Sequence, residues 1–466
     1  MNDFLRKIWR KNHYREVLRV CLPLVLSLSA TTLMEFTDRV FLANYSIDSI
    51  SAALPAGIVS YLPIAFLGGI GGYIGVFIAQ YTGRGDHRKI GTVLWQGIYF
   101  SLASGLLLGL LALFVAKPLF ALAGHPQEVQ ALEEIYFSIL CEGAVLHMMM
   151  ITLSAFFSGR GITRPVMIIT LLGVLANIPL DYALIFGKWG MPEMGIKGAA
   201  IATVAAWGVN VLCLAALVFT GDNNRRFAVF SHWRFDREIF VRLMRFGIPG
   251  SCQFTMDILA FTFFILLVGR IGRVELAATN IVLSINALAF MPSMGVSQGV
   301  SILVGQALGR GNPAMAGRLV RSSCQLLLLY ILAIDLLFLM APDTVLSPFL
   351  ASGTGDAAVR QAVTVIGRDL LKIVAAYLFC DALYMALSGA LRGAGDTRFM
   401  MLAVALVSPV CLVLPVYIGV QYLQITVTTA WLWVLFFVTV LFCLAAWRFR
   451  QGAWKKMLVI EDVNTN

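Results

Sequence analysis

Twelve separate stretches of this chain are apolar enough and long enough to cross a membrane, and no other feature restricts its fold as strongly. A transmembrane helix needs about 20 mostly apolar residues. The approximate limits of the stretches are 17–40, 52–79, 91–116, 133–158, 164–187, 197–220, 239–268, 276–307, 319–341, 362–391, 398–421 and 425–448. Only 13% of the 466 residues are charged, about half the share found in soluble domains. The sequence therefore predicts an all-α polytopic membrane protein with 12 transmembrane helices.

The basic residues predict how these spans are oriented. With both termini on the inner side, 26 of the 35 Lys and Arg fall in inner segments, as the positive-inside rule requires. We therefore expect a multi-pass protein of the cell inner membrane with both termini in the cytoplasm and no removable signal peptide. The net charge of +10 indicates contact with anionic lipid headgroups rather than nucleic acid, because the basic residues occupy short breaks between apolar runs.

An internal repeat divides the chain into two related halves. Three pairs of segments match in the same order, two at an offset of 226 residues and one at 234. The pairs are LRVCLP ending at Pro23 with MRFGIP ending at Pro249, AQYTGRGD (79–86) with GQALGRGN (305–312), and SGRGITR (158–164) with RGAGDTR (392–398). Each half holds six spans, so both halves enter the membrane from the same side and the pseudo-two-fold repeat is parallel.

The repeat and the polar breaks predict the domain organisation. The predicted parts are a basic cytoplasmic segment (1–16), an N-lobe with spans 1–6 (17–220), a cytoplasmic linker (221–238), a C-lobe with spans 7–12 (239–448) and a cytoplasmic tail (449–466). Transporters of this architecture work by rocking one half against the other, so that access to the substrate alternates.

The repeated GRG and GxGxTR breaks have two interpretations. They resemble phosphate-binding loops, but no Lys-Ser or Lys-Thr pair follows them and no strand precedes them. We expect tight cytoplasmic turns instead, in which glycine adopts an unusual φ and arginine lies at the lipid headgroups.

Ionisable residues within spans are candidate functional residues, because each costs about 2.5–3.5 kcal/mol to insert. The first span carries Glu35, Asp38 and Arg39. Glu35 and Asp38 are three residues apart and share a helix face, and Glu35 can also reach Arg39. The alternative to a functional site is a charge cluster at the membrane interface.

The fifth span carries Asn177 and Asp181, four residues apart on one helix face. Pro179 lies between them and can free a backbone carbonyl. A carboxylate, an amide oxygen and a free carbonyl form an all-oxygen set suited to Na⁺ or to a held proton. The alternative is a hydrogen bond between helices.

The second half carries its own buried acids. Asp257 lies eight residues past Pro249 with Gln253 one turn before it, and Asp381 of the tenth span has Tyr377 one turn before it. No Lys or Arg lies near either acid on its own helix. Carboxyl groups buried without a cationic partner can hold a proton near neutral pH, as a proton-coupled carrier requires, whereas bound Na⁺ would keep them charged.

Two further ionisable residues have weaker arguments. His147 of the fourth span stands at the repeat position of Asp381, and it is an accessory candidate together with Glu35 and Gln253. A lone buried histidine is more often a hydrogen-bonded core residue. Asp335 of the ninth span is isolated, and the sequence offers no role for it.

The chain resembles the MATE family of multidrug and toxin extrusion transporters along nearly its whole length. The resemblance rests on MEFTD (34–38), NIPLDYALIFG (177–187), GIKGAAIAT (195–203) and ALSGALRGAGDTR (386–398). The acid at Asp257 and the pair Tyr377 and Asp381 resemble the NorM-type branch. Two positions depart from that pattern: Arg39 directly follows Asp38, and Asp257 stands where the branch usually has Glu.

The resemblance implies one cation site in each lobe. For the N-lobe it implies Asp38, Asn177, Asp181 and Thr203, and for the C-lobe Asp257, Tyr377 and Asp381. It also implies export of organic cationic or amphipathic compounds by antiport with Na⁺ or H⁺, no covalent cofactor and a monomer embedded in membrane lipid. Either site could hold Na⁺, and the choice between Na⁺ and H⁺ stays open.

Three alternatives belong to other functional classes. A lipid or glycolipid flippase of the same superfamily should have a strongly basic cavity, whereas these spans carry acids. A membrane-embedded enzyme would need a convergent set such as HExxH or a Ser/His pair at membrane depth, and the sequence has none. A channel or receptor fits poorly with a two-lobe repeat.

Overall fold

The computed structural model describes residues 13–350 and 357–461, and every regular element within these ranges is helical. The α-helices are α1 (Tyr14–Tyr45), α2 (Ile47–Gly72), α3 (Ile74–Arg84), α4 (Lys89–Ala123), α5 (Gln127–Ser158), α6 (Arg164–Phe186), α7 (Ile196–Val218), α8 (Gly221–Phe227), α9 (Arg237–Val268), α10 (Arg273–Gly309), α11 (Pro313–Met340), α12 (Pro342–Leu350), α13 (Ala357–Ala394), α14 (Thr397–Ser408), α15 (Leu414–Ile418) and α16 (Val427–Gln451). Most of the predicted basic segment 1–16 and the last residues of the predicted tail lie outside the described residues.

Twelve spans result, which confirms the predicted fold class. Helices α2 and α3 join as the second span, and the eleventh span runs from α14 to Leu423 through two π-helical turns, Pro409–Val413 and Gly419–Leu423. The other ten spans are the single long helices, and α8 and α12 are short connecting helices. All backbone polar groups in hydrocarbon must be satisfied internally, which the helical spans achieve.

The predicted tight turns are present at both copies of the repeated glycine motifs. Gly85 and Gly311, a repeat pair, have φ of 85° and 68°, and the pair Gly161 and Gly395 has φ of 76° and 100°. Positive φ is the left-handed region that glycine enters without steric cost. The glycine part of the turn interpretation is therefore confirmed.

The described chain forms two compact units, and two of the limits between them follow the repeated prolines. One unit comprises 13–25, Cys252–Val304 and the described residues of Asn312–Leu458, and the other comprises Leu26–Ser251, Gly305–Gly311 and 459–461. These units differ from the predicted lobes 17–220 and 239–448. The start of the first span, up to two residues after Pro23, belongs to the unit built mainly from the second half, and the start of the seventh span, up to two residues after Pro249, belongs to the unit built mainly from the first half. An interior proline removes a helix hydrogen bond and favours a bend, so each of these spans divides there.

The two units repeat the same helix pairings. In the unit built mainly from the first half, the fourth span packs against the third and sixth, and the fifth packs against the sixth. In the other unit, the tenth span packs against the ninth and twelfth, and the eleventh packs against the twelfth. The sequence repeat therefore corresponds to a repeat of helix packing.

Glycines allow the closest of these helix contacts. A side chain at Gly393 of the tenth span would collide with the backbone carbonyl of Ser301, and one at Gly389 with that of Ser297. In the other unit, a Cβ at Gly159 would lie 2.7 Å from the carbonyl oxygen of Gly75, which is the repeat copy of the Gly393 contact. Small residues at such crossings let helix backbones approach in a membrane.

Replacing Gly393 with Ala should destabilise the protein, because the tenth span would have to move away from Ser301. Overpacking of this kind costs about 1–3 kcal/mol. The control is Gly109→Ala, since a Cβ at Gly109 meets nothing within 4 Å. Thermal unfolding of both variants in detergent measures the effect, and equal melting temperatures for the two would contradict the crossing.

Candidate functional site

Four residues predicted for the N-lobe lie together where the first, fifth and sixth spans meet. Asp38 is 7% exposed, Asn177 and Asp181 are fully buried, and Thr203 is 8% exposed. The Thr203 hydroxyl donates to Asp38 Oδ2 at 3.5 Å. The Asp38 and Asp181 carboxyls lie beside each other, with Asn177 next to Asp181. Helical spacing predicted the pair on the fifth span, and the fold adds the partners from the first and sixth spans.

Most oxygen atoms of this N-cluster (Asp38, Asn177, Asp181 and Thr203) have no hydrogen-bond partner. Within the described ranges this applies to Asp38 Oδ1, both carboxylate oxygens of Asp181 and the side-chain amide of Asn177. Buried polar atoms are nearly always paired in folded proteins. Unpaired oxygens around two carboxyls are the ligands that hard cations prefer, and the same carboxyls could share a proton.

Two charged residues of the first span lie beside the N-cluster. Glu35, one turn before Asp38, is exposed, and so is Arg39. Neither of them makes an ion pair in the part of the chain that the structure describes. Within the described ranges, the carboxyls of the N-cluster therefore have no cation within ion-pair distance, and Glu35 is not part of the buried set.

Tyr136 of the fourth span is a neighbour that the sequence did not indicate. Its ring packs in the apolar clusters beside the site, and its hydroxyl lies close enough to Asp38 and Asp181 to feel their charge. Its span carries no spacing relation to either acid, so sequence patterns could not have found it.

The second cluster lies on the seventh and tenth spans. Asp257 is half-buried, Asp381 is 7% exposed, and Asp257 lies near enough to Asp381 to feel its charge. Gln253 Nε2 donates to the Tyr384 hydroxyl and to Ser388 Oγ, both at 3.0 Å. Because Tyr384 accepts from Gln253, its own proton is free to be donated to Asp257, which lies within hydrogen-bonding reach.

Tyr377 is also at this C-cluster (Gln253, Asp257, Tyr377, Asp381, Tyr384 and Ser388), but it faces a partner on another span. It is 2% exposed, lies near Asp381 and pairs with Asn286 of the eighth span. Asn286 was not predicted, because it has no spacing relation to the acids. Tyr384 and Ser388 were also missed, although they follow Asp381 by three and seven residues on one helix face and the spacing could have indicated them.

His147 and Asp335 lie apart from both clusters. The His147 ring is 4.7 Å from the Trp207 ring, and its Nδ1 has no partner among the described residues. Asp335 is half-buried in the ninth span with one oxygen unpaired. Among the described residues, no three His, Cys, Asp or Glu side chains come together as a transition-metal site would require.

Comparison with known proteins shows which family has this sequence and architecture. The profile of the MatE family matches residues 23–183 and 251–418. The probable multidrug resistance protein NorM of Thermotoga maritima is 27% identical over 452 residues, which cover 96% of this chain and 94% of that protein. A protein of the same description from Xanthomonas campestris is 30% identical over 394 residues, covering 82% of each chain.

A solved structure shares the fold. A MOP superfamily transporter from Pyrococcus furiosus superposes with a TM-score of 0.86 at 21% identity, over 96% of this chain and 97% of that one. The family profile covers spans from both halves, including the segments that carry Asp38, Asp181, Asp257 and Asp381. The chain therefore belongs to the MatE family and is a NorM-like member of it.

Proposed function

We propose that this protein exports small organic cationic or amphipathic compounds from the cytoplasm by antiport with Na⁺ or H⁺. It would act in the cell inner membrane with both termini in the cytoplasm. The names of its relatives, multidrug resistance proteins, support the substrate class. Membership of a transporter family also argues against the enzyme alternative.

The observation that carries the proposal is a pair of intramembrane carboxyls in each unit. Asp38 and Asp181 form one pair, and Asp257 and Asp381 form the other. None of the four makes an ion pair in the described ranges. A negatively charged pair in hydrocarbon is costly, so binding of a proton or Na⁺ to either cluster would be favourable and would change how the surrounding spans pack.

The proposed mechanism uses this change in packing. A cation that enters down its gradient would bind the carboxyls of a cluster and remove their mutual repulsion. Each charge that crosses the membrane supplies about 2.3 kcal/mol per 100 mV of membrane potential. The first and seventh spans, which carry Asp38 and Asp257, each contain an interior proline and are the elements expected to bend when a cluster is neutralised.

The oxygen atoms of both clusters suit either coupling ion. The N-cluster offers two carboxylates, an amide oxygen and a hydroxyl, and the C-cluster offers two carboxylates with tyrosine and serine hydroxyls. Na⁺ would be held by these oxygens as ligands, whereas H⁺ would be shared between the two carboxyls of a pair. A monomer embedded in membrane lipid is sufficient for this mechanism, since each cluster lies within one unit of a single chain.

Neutralising one acid in each cluster should abolish coupling. We expect the double variant Asp38→Asn and Asp257→Asn to lose substrate efflux from proteoliposomes. Each pair would then have only one carboxyl, so no repulsion between two carboxylates would remain for a bound cation to relieve. Dye efflux is measured with a Na⁺ gradient and a pH gradient imposed separately, which also identifies the coupling ion.

The matched control for this experiment is Asp335→Asn. It removes another intramembrane carboxyl that lies apart from both clusters, and efflux should stay near the wild-type rate. The mechanism would be wrong if efflux survived the double substitution, or if the efflux rate stayed unchanged when both ion gradients were collapsed.

Tyr384→Phe should change the ion dependence of efflux without disturbing the fold. The change keeps the buried ring and removes only the hydroxyl that contacts Gln253 and Asp257. A hydrogen bond to a charged group contributes about 1.5–3 kcal/mol. Because this bond favours the charged form of Asp257, its loss strengthens proton binding, so with H⁺ as the coupling ion the proton concentration that gives half-maximal efflux should fall roughly tenfold.

The control for Tyr384→Phe is Tyr330→Phe in the ninth span, whose hydroxyl donates to the carbonyl of Ala289 at 3.2 Å. That variant loses a hydroxyl of the same kind away from both clusters. An unchanged ion dependence is expected for it, and an equal shift in both variants would argue against a role for Tyr384 in the C-cluster.

A further inference from the structure

A basic cavity of about 590 Å³ lies at one end of the spans in the first-half unit, between the second-to-third-span turn and the inter-half linker. Arg88, Lys89 and Thr92 line one wall, and Arg234 and Arg237 lie on the linker side. All of these residues belong to the same compact unit. On the proposed orientation, the cavity opens at the cytoplasmic leaflet.

The lining of this cavity carries a net positive charge, with four basic side chains against two acidic ones. Arg88, Arg234 and Arg237 make no ion pair in the described ranges, and Lys89 Nζ comes only within 4.0 Å of Glu461 Oε1. Two acids also line the cavity, Asp86 and Asp236. The Asp236 carboxylate accepts a hydrogen bond from the backbone N–H of Ile239 at 3.1 Å, so it is engaged as a helix cap.

A helix N-terminus adds to this charge. The third span begins at Lys89 inside the cavity, and Arg88 before it provides no side-chain cap. The first backbone N–H groups of a long helix favour anions. The helix N-terminus and three guanidinium groups without an ion pair, on two sides of one cavity, together favour an anion.

The repeat shows that this feature is particular to the first half. At an offset of 226 residues, Asp86, Arg88 and Lys89 correspond to Asn312, Ala314 and Met315. The copy in the second half has no basic residue in these places, and Asn312 caps its own helix by accepting from the N–H of Met315 at 2.9 Å. The turn in the second half forms without basic residues at these positions, so Arg88 and Lys89 are not needed to form the turn.

The linker wall of the cavity is held in place by hydrogen bonds to the third span. Trp95 Nε1 donates to the carbonyl of Val229 at 2.7 Å, Gln96 Nε2 donates to that of Arg234 at 3.3 Å, and the Tyr99 hydroxyl donates to that of Trp233. These contacts fix the backbone that carries Arg234. The site is therefore preformed rather than a loose charged loop.

An apolar track leads from the cavity along the third span. Phe235 lines the cavity, is 57% exposed and packs against Tyr99 at 6.1 Å between ring centroids. Beyond Tyr99, Leu102 and Leu106 follow on the same helix face and are 50% and 67% exposed. Exposed aromatics beside basic residues are typical of the membrane interface, and the leucine track fits an acyl chain.

We propose that this cavity binds the phosphate headgroup of an anionic membrane lipid, with its acyl chains lying along the exposed face of the third span. Arg88, Arg234 and Arg237 would contact the phosphate oxygens, and Lys89 and the helix N-terminus would add positive charge. Basic pockets beside transmembrane helices recognise lipid headgroups by this chemistry. The proposal does not depend on which compound the protein exports.

Lipid retention by the full-length protein tests the proposal. The purified protein in mild detergent is titrated with phosphatidylglycerol or with phosphatidylcholine of the same acyl chains, and bound lipid is counted by native mass spectrometry. The variant Arg234→Gln with Arg237→Gln should lower phosphatidylglycerol affinity roughly tenfold or more, and phosphatidylcholine binding should stay unchanged.

The matched control is Arg225→Gln with Arg226→Gln. It removes the same charge from the same linker, at exposed residues that do not line the cavity, and should retain wild-type affinity. If the first variant fails to fold, Arg88→Gln tests the opposite wall and should weaken phosphatidylglycerol binding in the same direction. Restoring charge with Arg234→Lys and Arg237→Lys should recover most of the affinity.

Three results would overturn the proposal. Equal losses in the two double variants would mean a diffuse surface charge, and equal retention of both lipids would mean no headgroup recognition. The third result concerns a soluble phosphate ester as the alternative ligand. If glycerol 3-phosphate displaces phosphatidylglycerol at concentrations close to the lipid's own dissociation constant, the cavity binds a soluble phosphate ester and not a lipid.

Discussion

The cost of holding carboxyl groups inside the membrane is the constraint on which this structure depends. Four such groups in two pairs cost on the order of 10 kcal/mol at insertion-scale values. Neighbouring spans offset part of this cost, since Thr203 donates to Asp38 and Tyr384 can donate to Asp257 while it accepts from Gln253. Each donor comes from a different helix than its acid. The acids therefore require fixed contacts among the first and sixth spans in one unit and the seventh and tenth spans in the other.

Those contacts require helices that approach closely without side chains between them. At the crossing of the eighth and tenth spans, Gly389 and Gly393 lie against the carbonyls of Ser297 and Ser301. Lipid supplies no hydrophobic force between helices, so close backbone packing is a main source of their association. The tenth span also carries Tyr377, Asp381 and Tyr384. The glycine crossing thus positions the helix that provides most of the C-cluster.

The sequence predicted those parts of the molecule that lie along one helix. Hydropathy gave the spans, repeated glycines gave the turns at Gly85 and Gly311, and helical spacing paired Asn177 with Asp181. Contacts between helices were harder, because Tyr136 and Asn286 reach their acids from spans with no spacing relation to them. Hydropathy also could not show that the chain changes unit near Pro23 and Pro249. That division depends on which helices each segment touches, and a hydropathy pattern carries no such information.

The two halves have kept their backbone contacts and lost their chemical likeness. Gly159 and Gly393 preserve the same crossing, but Phe264 stands at the repeat position of Asp38, fully buried with its ring 5.5 Å from that of Trp431. Thr31 stands at the position of Asp257, and its hydroxyl donates to the carbonyl of Ser27 on its own helix at 2.9 Å. Where one half carries an acid, the other half therefore has a residue that packs in the core or makes a hydrogen bond within its own helix. Because close helix approach tolerates only small residues while cluster positions accept several side chains, the duplicated halves could specialise, and two unequal cation clusters are the expected result.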